Sequence, residues 1–183
     1  MTLVHINSEK SLPPLTFVLG GAASGKSIVA ESLIENSGLA KVYFATGRIW
    51  DAETQNRVDI HKARRDSDWT TIDVPIDLPD ALDAATPGQA ILLDCATMWL
   101  TNLMMDEKDQ PAHIAALMAA LADCVAPVVV VSNEVGQGIV PENAMARAFR
   151  EAQGRLNMQL ADQADVVIHV VAGLPTLLKG DLA

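Results

Sequence analysis

Cysteine is nearly absent from this chain, which has only Cys95 and Cys124 in 183 residues. Neither has a cysteine or histidine near it at metal-ligand spacing, which argues against a disulfide framework or a thiolate metal site. Both stand in apolar stretches and read as small buried hydrophobes. Aromatic residues are also scarce, at 4%, so the core must rest on Ala, Val, Leu, Ile and Met. Positive charge is in deficit: 13 Lys and Arg face 23 Asp and Glu, for a formal net charge of −10. Such a chain is a poor partner for bulk nucleic acid or an anionic membrane. Any phosphate it binds must be held by local donors that oppose the global field. No apolar run reaches the ~18 residues needed to cross a bilayer. The first dozen residues lack the apolar core of a signal peptide. No nucleic-acid partner, no membrane span and a cytoplasmic location are expected.

The organisation is that of one domain, since a chain of this length can bury a sizeable core. Residues 1–14 read as a leader ending in Pro13-Pro14, and residues 15–183 as a single nucleotide-binding domain. Apolar runs at Leu15–Leu19, Lys41–Thr46, Thr70–Val74, Ala90–Cys95, Pro127–Ser132 and Val166–Val171 predict strands, the last of these closing the sheet. Helical spacing marks Ser27–Ile34, Asp51–Arg65, Ala112–Cys124 and Asn143–Ala161. Short, wholly apolar strands alternating with helices indicate a parallel sheet covered on both faces. The fold class expected is α/β, a three-layer domain.

Gly20-Gly21-Ala22-Ala23-Ser24-Gly25-Lys26-Ser27 fits the pattern G-x-x-x-x-G-K-[ST], with an apolar strand before it and a helix after. Glycine opens backbone conformations closed to other residues and lets the chain approach phosphate oxygens. The loop amides then form an anion nest, reinforced by the positive end of the helix dipole. Lys26 can reach the β- and γ-phosphates, and the Ser27 hydroxyl can ligate Mg²⁺. Asp94 ends the run Ile91-Leu92-Leu93, as does the second acidic motif that holds Mg²⁺ beside such a loop. The plainer reading of Asp94 is an aspartate capping the next turn.

Arg57, His61, Arg64 and Arg65 fall on one face of the Asp51–Arg65 helix, with Lys62 adjacent. Such a patch could hold a triphosphate tail or a leaving pyrophosphate. Its cations would lower the imidazole pKa and keep His61 neutral and nucleophilic. A solvated charged face balanced by Asp51, Glu53 and Asp59 explains the same residues, and composition does not separate the two. His169, in an apolar strand, reads as a structural histidine. After the strand at Pro127–Ser132, Gly136, Gly138 and Pro141 shape a loop. Asn133, Glu134, Glu142 and Asn143 could meet a substrate there, or Asn143 could simply cap the next helix.

Taken together these segments resemble the bifunctional adenosylcobinamide kinase / adenosylcobinamide-phosphate guanylyltransferase family, from Gly20 to about Gly173. The resemblance lies in the Gly20–Ser27 loop, in R-x-x-x-H-K at Arg57–Lys62 with Arg65 and Trp69, and in ILLDCATMWLTNL at Ile91–Leu103. Its most specific piece is NEVGQGIVPENAMARAFREAQGRLN at Asn133–Asn157. The resemblance implies a P-loop NTPase fold, mostly parallel, similar to recombinase-type ATPases and assembled as a homotrimer. It implies ATP or GTP as phosphoryl donor to adenosylcobinamide, and GTP as GMP donor to adenosylcobinamide phosphate, with Mg²⁺ as cofactor. It places the GMP-carrying histidine at His61. It places nucleotide contacts at Gly20–Ser27, at Ala45, Thr46 and Gly47, at Lys62, Ala63, Arg64 and Arg65, and at Asp73 and Asp94.

The chain departs from the family pattern at several positions. Ala23 stands where Arg is frequent, Asp73 and Asp94 where Glu is common, Asp66 where Pro is frequent and Met158 where Gln is frequent. None of these removes Lys26 or His61. Two further readings stay open on the same residues: a small-molecule kinase that forms no covalent nucleotide, and a regulatory module that senses nucleotide without turnover.

Overall fold

The computed structural model describes residues 12–48 and 67–181. The expected leader, up to residue 11, and the helix expected at Asp51–Arg65 lie outside the described residues. Seven strands form one sheet: β1 (Leu15–Gly20), β2 (Ala40–Ala45), β3 (Trp69–Asp73), β4 (Gln89–Asp94), β5 (Val128–Asn133), β6 (Val166–Val171) and β7 (Leu174–Lys179). Their order is β3-β2-β4-β5-β1-β6-β7. Every neighbouring pair is parallel except β6 and β7.

Five helices are described: α1 (Lys26–Asn36), α2 (Leu78–Asp83), α3 (Ala96–Met105), α4 (Gln110–Asp123) and α5 (Ala144–Gln163). The strand pleat divides the core into two layers. Phe17, Phe44, Leu93 and Val130 pack on one face against Leu82, Trp99, Leu117, Leu156 and Leu160, which come from α2 to α5. Val18, Tyr43, Leu92, Val129 and Ile168 face the other way, onto Ala30, Leu33 and Ile34 of α1. The central strands are therefore buried on both sides, which is why they read as unbroken apolar runs.

Three elements differ from the sequence expectation. Val166–Val171 is not the last strand, because β7 turns back antiparallel along it. β7 is largely exposed and carries Pro175, as an edge strand allows. That exposure left it no run of buried residues by which to find it. The short α2 and the apolar α3 were also not foreseen. The α3 segment ATMWLTNLMM lacks a polar stripe because its buried residues surround much of the helix, so its periodicity is weak. Trp99 is fully buried, and its indole N–H donates to the Ile76 carbonyl at 2.7 Å, satisfying the one polar atom of that side chain. Cys95 is buried as expected, whereas Cys124 is only half-buried.

Candidate active site

The loop between β1 and α1 is shaped by contacts with main chain. Gly25 has φ 92°, a conformation that costs an L-residue about 1–2 kcal/mol. A Cβ there would also lie 3.1 Å from Gly173 Cα. A Cβ on Gly20 would lie 2.6 Å from the Val170 carbonyl oxygen and 2.5 Å from Ser24 Oγ. The Gly173 amide donates to the Ser24 carbonyl at 2.7 Å. The β6–β7 turn is thus the backing of the loop, a role with no signal in the motif itself. Helix α1 starts without a side-chain cap and without an acidic residue in its first turn. Its leading N–H groups are left for an anion, and no carboxylate competes for them. Lys26 is buried, with its ammonium donating to the Gly21 carbonyl at 3.0 Å.

The other predicted residues line the same edge of the sheet. Parallel strands all end at this edge, and Ala45, Asp73 and Asp94 are the last residues of β2, β3 and β4. Ala45 pairs in register with both Asp73 and Asp94. By pleat alternation all three share the face of Tyr43, Trp69 and Leu92, the face that carries α1. Asp94 and Lys26 both lie close enough to Cys95 to act on its thiol. Burial first, and the Asp94 carboxylate second, push that thiol up to about 12, while Lys26 pulls the other way. Cys95 therefore stays neutral between them. Asp73 belongs to the far end of the row, four strand spacings from β1, or ~19 Å at about 4.8 Å each. The site is accordingly long, with a phosphate loop at one end and carboxylates toward the other.

Thr46 has a different task from the one its position suggests. It is fully buried. Its hydroxyl donates to the Cys95 carbonyl at 2.8 Å and accepts from the Cys95 amide at 2.7 Å. Asn102 of α3 then donates to the Thr46 carbonyl at 2.7 Å and the Pro75 carbonyl at 2.9 Å. The ends of β2 and β4 are clamped together, so Thr46 sets backbone position. Beyond Gly47, Arg48 makes a two-pronged ion pair with Asp106 at 2.6 and 2.7 Å. The Arg48 guanidinium holds the Asp106 carboxyl below its usual range. Sequence reading missed Thr46's clamp, Asn102 and this ion pair, because each joins residues between 27 and 58 apart in the chain.

Ala23 is exposed and has φ 55°, so it presents no cation. Ser27 lies at the first turn of α1, half-buried. Arg57, His61, Lys62, Ala63, Arg64, Arg65 and Asp66 lie outside the described residues, in the connection that leaves the carboxyl end of β2. Met158 is exposed on α5. The loop after β5 is attached to the phosphate loop, since the Glu134 amide donates to the Gly20 carbonyl at 3.0 Å. Asn143 caps α5, accepting from the amides of Met145 and Ala146.

Residues 16–178 match the family described as cobinamide kinase / cobinamide phosphate guanyltransferase. The chain belongs to that family. It is 40% identical over 169 residues to the bifunctional adenosylcobalamin biosynthesis protein CobP of Pseudomonas aeruginosa, covering 90% of this chain and 96% of that protein. It is 40% identical over 181 residues to the bifunctional adenosylcobalamin biosynthesis protein CobU of Escherichia coli K12, covering 90% and 99%. Family membership makes the chain a transferase enzyme. Among solved structures it is similar to the flagellar accessory protein FlaH of Methanocaldococcus jannaschii, with TM-score 0.54, 13% identity and coverage of 97% and 83%. It is also similar to the RadB recombinase, with TM-score 0.52, 15% identity and coverage of 87% and 75%. These two likenesses concern the fold, which is the mostly parallel, recombinase-like one expected. No described helix is long and apolar enough to cross a membrane.

The backing of the loop yields a direct test. Gly25→Ala forces a left-handed alanine against Gly173, so the loop must shift. Affinity for a nucleoside triphosphate, measured by titration calorimetry, should fall at least ~10-fold while the circular dichroism spectrum stays native. Affinity within twofold of the parent would show that loop shape is not set by this contact.

Proposed function

We propose that this enzyme phosphorylates adenosylcobinamide with ATP or GTP and then transfers GMP from GTP to adenosylcobinamide phosphate through a guanylylated His61. The observation that carries the reading is the uncapped α1 opening on the buried Lys26, at the sheet edge where β4 ends in Asp94, in a chain that belongs to this family. The substrate contacts proposed are Gly20–Ser27 for the phosphates. Ala45 and Gly47, Lys62 to Arg65, Asp73 and Asp94 serve the rest of the nucleotide, with the buried Thr46 fixing the backbone between Ala45 and Gly47. The product of the second transfer is adenosylcobinamide-GDP, an intermediate in assembling the nucleotide loop of cobalamin.

In the first reaction the loop amides and Lys26 hold the β- and γ-phosphates. The corrinoid side-chain hydroxyl attacks the γ-phosphorus, its bond to oxygen forms, and the bond to the β-phosphate oxygen breaks. The hydroxyl proton is released, and the diphosphate leaves with the charge that Lys26 and the α1 amides neutralise. Ser27 and Asp94 are hard oxygen donors at the same end of the sheet, and so fit a Mg²⁺ ion shared with the phosphates. Such an ion, held by Ser27 and Asp94, would supply further neutralisation of phosphate charge. In the second reaction an imidazole nitrogen of His61 attacks the α-phosphorus of GTP and expels pyrophosphate. A corrinoid phosphate oxygen then displaces the histidine, so one transfer becomes two displacements.

A homotrimer is part of the proposal. Leu174, Leu177 and Leu178 of β7 and Ile139 and Val140 of the β5–α5 loop are exposed apolar side chains, of the kind that association covers. Light scattering at micromolar concentration should give three times the chain mass. A monomer with full activity would contradict it.

Lys26→Ala should lower kinase turnover about 10²–10³-fold, read as transfer of γ-label to the corrinoid. Turnover near that of the parent would refute the phosphate-loop assignment. His61→Asn should lose the GMP adduct, seen as a mass shift on intact protein, together with guanylyl transfer, while kinase activity largely survives. An adduct that persists, or that maps to His113 or His169, would identify a different nucleophile. A parent protein that never takes up α-label but still phosphorylates would be a simple kinase, and one that binds without turnover would be a sensing module.

A further inference from the structure

β5 runs between β1, which feeds the phosphate loop, and β4, which ends in Asp94. Asn133 is its last residue and pairs in register with Gly20, while Asp94 pairs with Val131. Val129 and Val131 belong to the core layer under α1, so the pleat carries the Asn133 side chain to that same face. Val128 and Val130 turn to the opposite layer, and so does Ser132. Asn133 is thus placed between the loop and Asp94, two residues further along its strand than Val131, the register partner of Asp94.

The main chain at this position is held by side chains from both flanking helices. The Asn133 amide donates to Thr97 Oγ1 of α3 at 2.8 Å. The Asn133 carbonyl accepts from Asn157 Nδ2 of α5 at 3.1 Å. Behind them, Ser132 Oγ donates to Asn157 Oδ1 at 2.7 Å, and Gln153 Nε2 donates to both Ser132 Oγ and Asn157 Oδ1 at 2.9 Å. Thr97, Ser132, Gln153 and Asn157 are all buried. Burying four polar side chains is costly unless they satisfy one another, and here their joint effect is to fix one strand end. The next residue is latched to the loop through the Glu134 amide and the Gly20 carbonyl. The Glu134 carboxylate is turned back onto the Gly136 amide. The Asn133 carboxamide, by contrast, makes no hydrogen bond to a described residue.

We propose that Asn133 is a further catalytic residue, whose carboxamide N–H donates to an oxygen of the terminal phosphoryl group held in the Gly20–Ser27 loop. The inference rests on the triphosphate reading above and names an additional contact in that site. A carboxamide suits this place. It donates without adding a second carboxylate next to Asp94, and without a further fixed cation that would retain the product diphosphate. The strand end that carries it is held in place by the buried network, so the backbone beneath it need not reorganise as charge shifts in transfer. The proton stays on the carboxamide throughout.

The test uses full-length protein with two substitutions, neither of which removes the backbone bonds to Thr97 and Asn157. Asn133→Ala should lower kinase kcat about 10²-fold, with the triphosphate KM changed less than about threefold. Asn133→Asp, nearly isosteric, should weaken a nucleoside triphosphate at least ~10-fold in calorimetry, because it sets a carboxylate against the terminal phosphate. It should leave a nucleoside diphosphate within about threefold. Asn133→Ala turnover close to the parent's would overturn the proposal. So would equal losses of di- and triphosphate affinity in Asn133→Asp, the signature of a merely structural role. A parent protein that binds no triphosphate, or a Lys26→Ala variant with unchanged turnover, would instead overturn the underlying reading and this inference with it.

Discussion

The site depends on the absence of side chains where the phosphate loop meets the β6–β7 turn. Gly20 lies against the Val170 carbonyl and Gly25 against Gly173, both too closely for a Cβ to fit without a shift. One hydrogen bond, from the Gly173 amide to the Ser24 carbonyl, ties the two backbones together. A loop that must point several amides at one anion cannot rely on flexible side chains to stay open. Here it is set against a turn whose own residues, Ala172 and Gly173, have positive φ. β6 therefore serves as more than a core strand, because it carries the turn that backs the loop. The antiparallel β7 continues that turn into the sheet.

An acidic chain that binds polyphosphate has to make its attraction locally. With a net charge of −10, the general field disfavours nucleotide, and long-range steering is of no help. The local donors oppose it at short range, where they are least screened. They are the uncapped start of α1, the buried Lys26 and the glycine-rich turn. Cys95 fits the same logic. Its burial, with Asp94 beside it, keeps the thiol protonated up to about 12, so it adds no negative charge beside the phosphate end.

The two faces of the sheet have different work. The face under α1 carries Ala45, Asp73, Asp94 and Asn133 at its carboxyl edge. The opposite face carries the hydrogen bonds that hold those strand ends in place. Asn102 reaches the Thr46 and Pro75 carbonyls, and Thr97 and Asn157 hold Asn133. Both sets come from helices packed on the far layer, so the position of the reactive edge is set by packing remote from it. This explains why polar residues are buried within an otherwise apolar region at α3 and α5.

The sequence by itself determined the phosphate loop, the parallel α/β class and the family. Each is a local property: a glycine spacing with its flanking strand and helix, apolar runs of strand length, and extended motifs such as Asn133–Asn157. It also placed Asp94 at a strand end, since Ile91-Leu92-Leu93 runs directly into it. Only the tertiary structure decided which side chains are free to meet a ligand. Thr46, in the sequence a nucleotide-contact candidate, proves to be spent on Cys95. Asn133, one polar residue among several in its loop, proves to be pinned by its backbone with its side chain left over. β7 and the backing of Gly25 by Gly173 escaped notice for a related reason. An exposed edge strand buries too little to leave a pattern, and the contact joins residues 148 positions apart. Contacts of that kind follow from strand order, and strand order is settled by which apolar faces pack together rather than by any short stretch of chain.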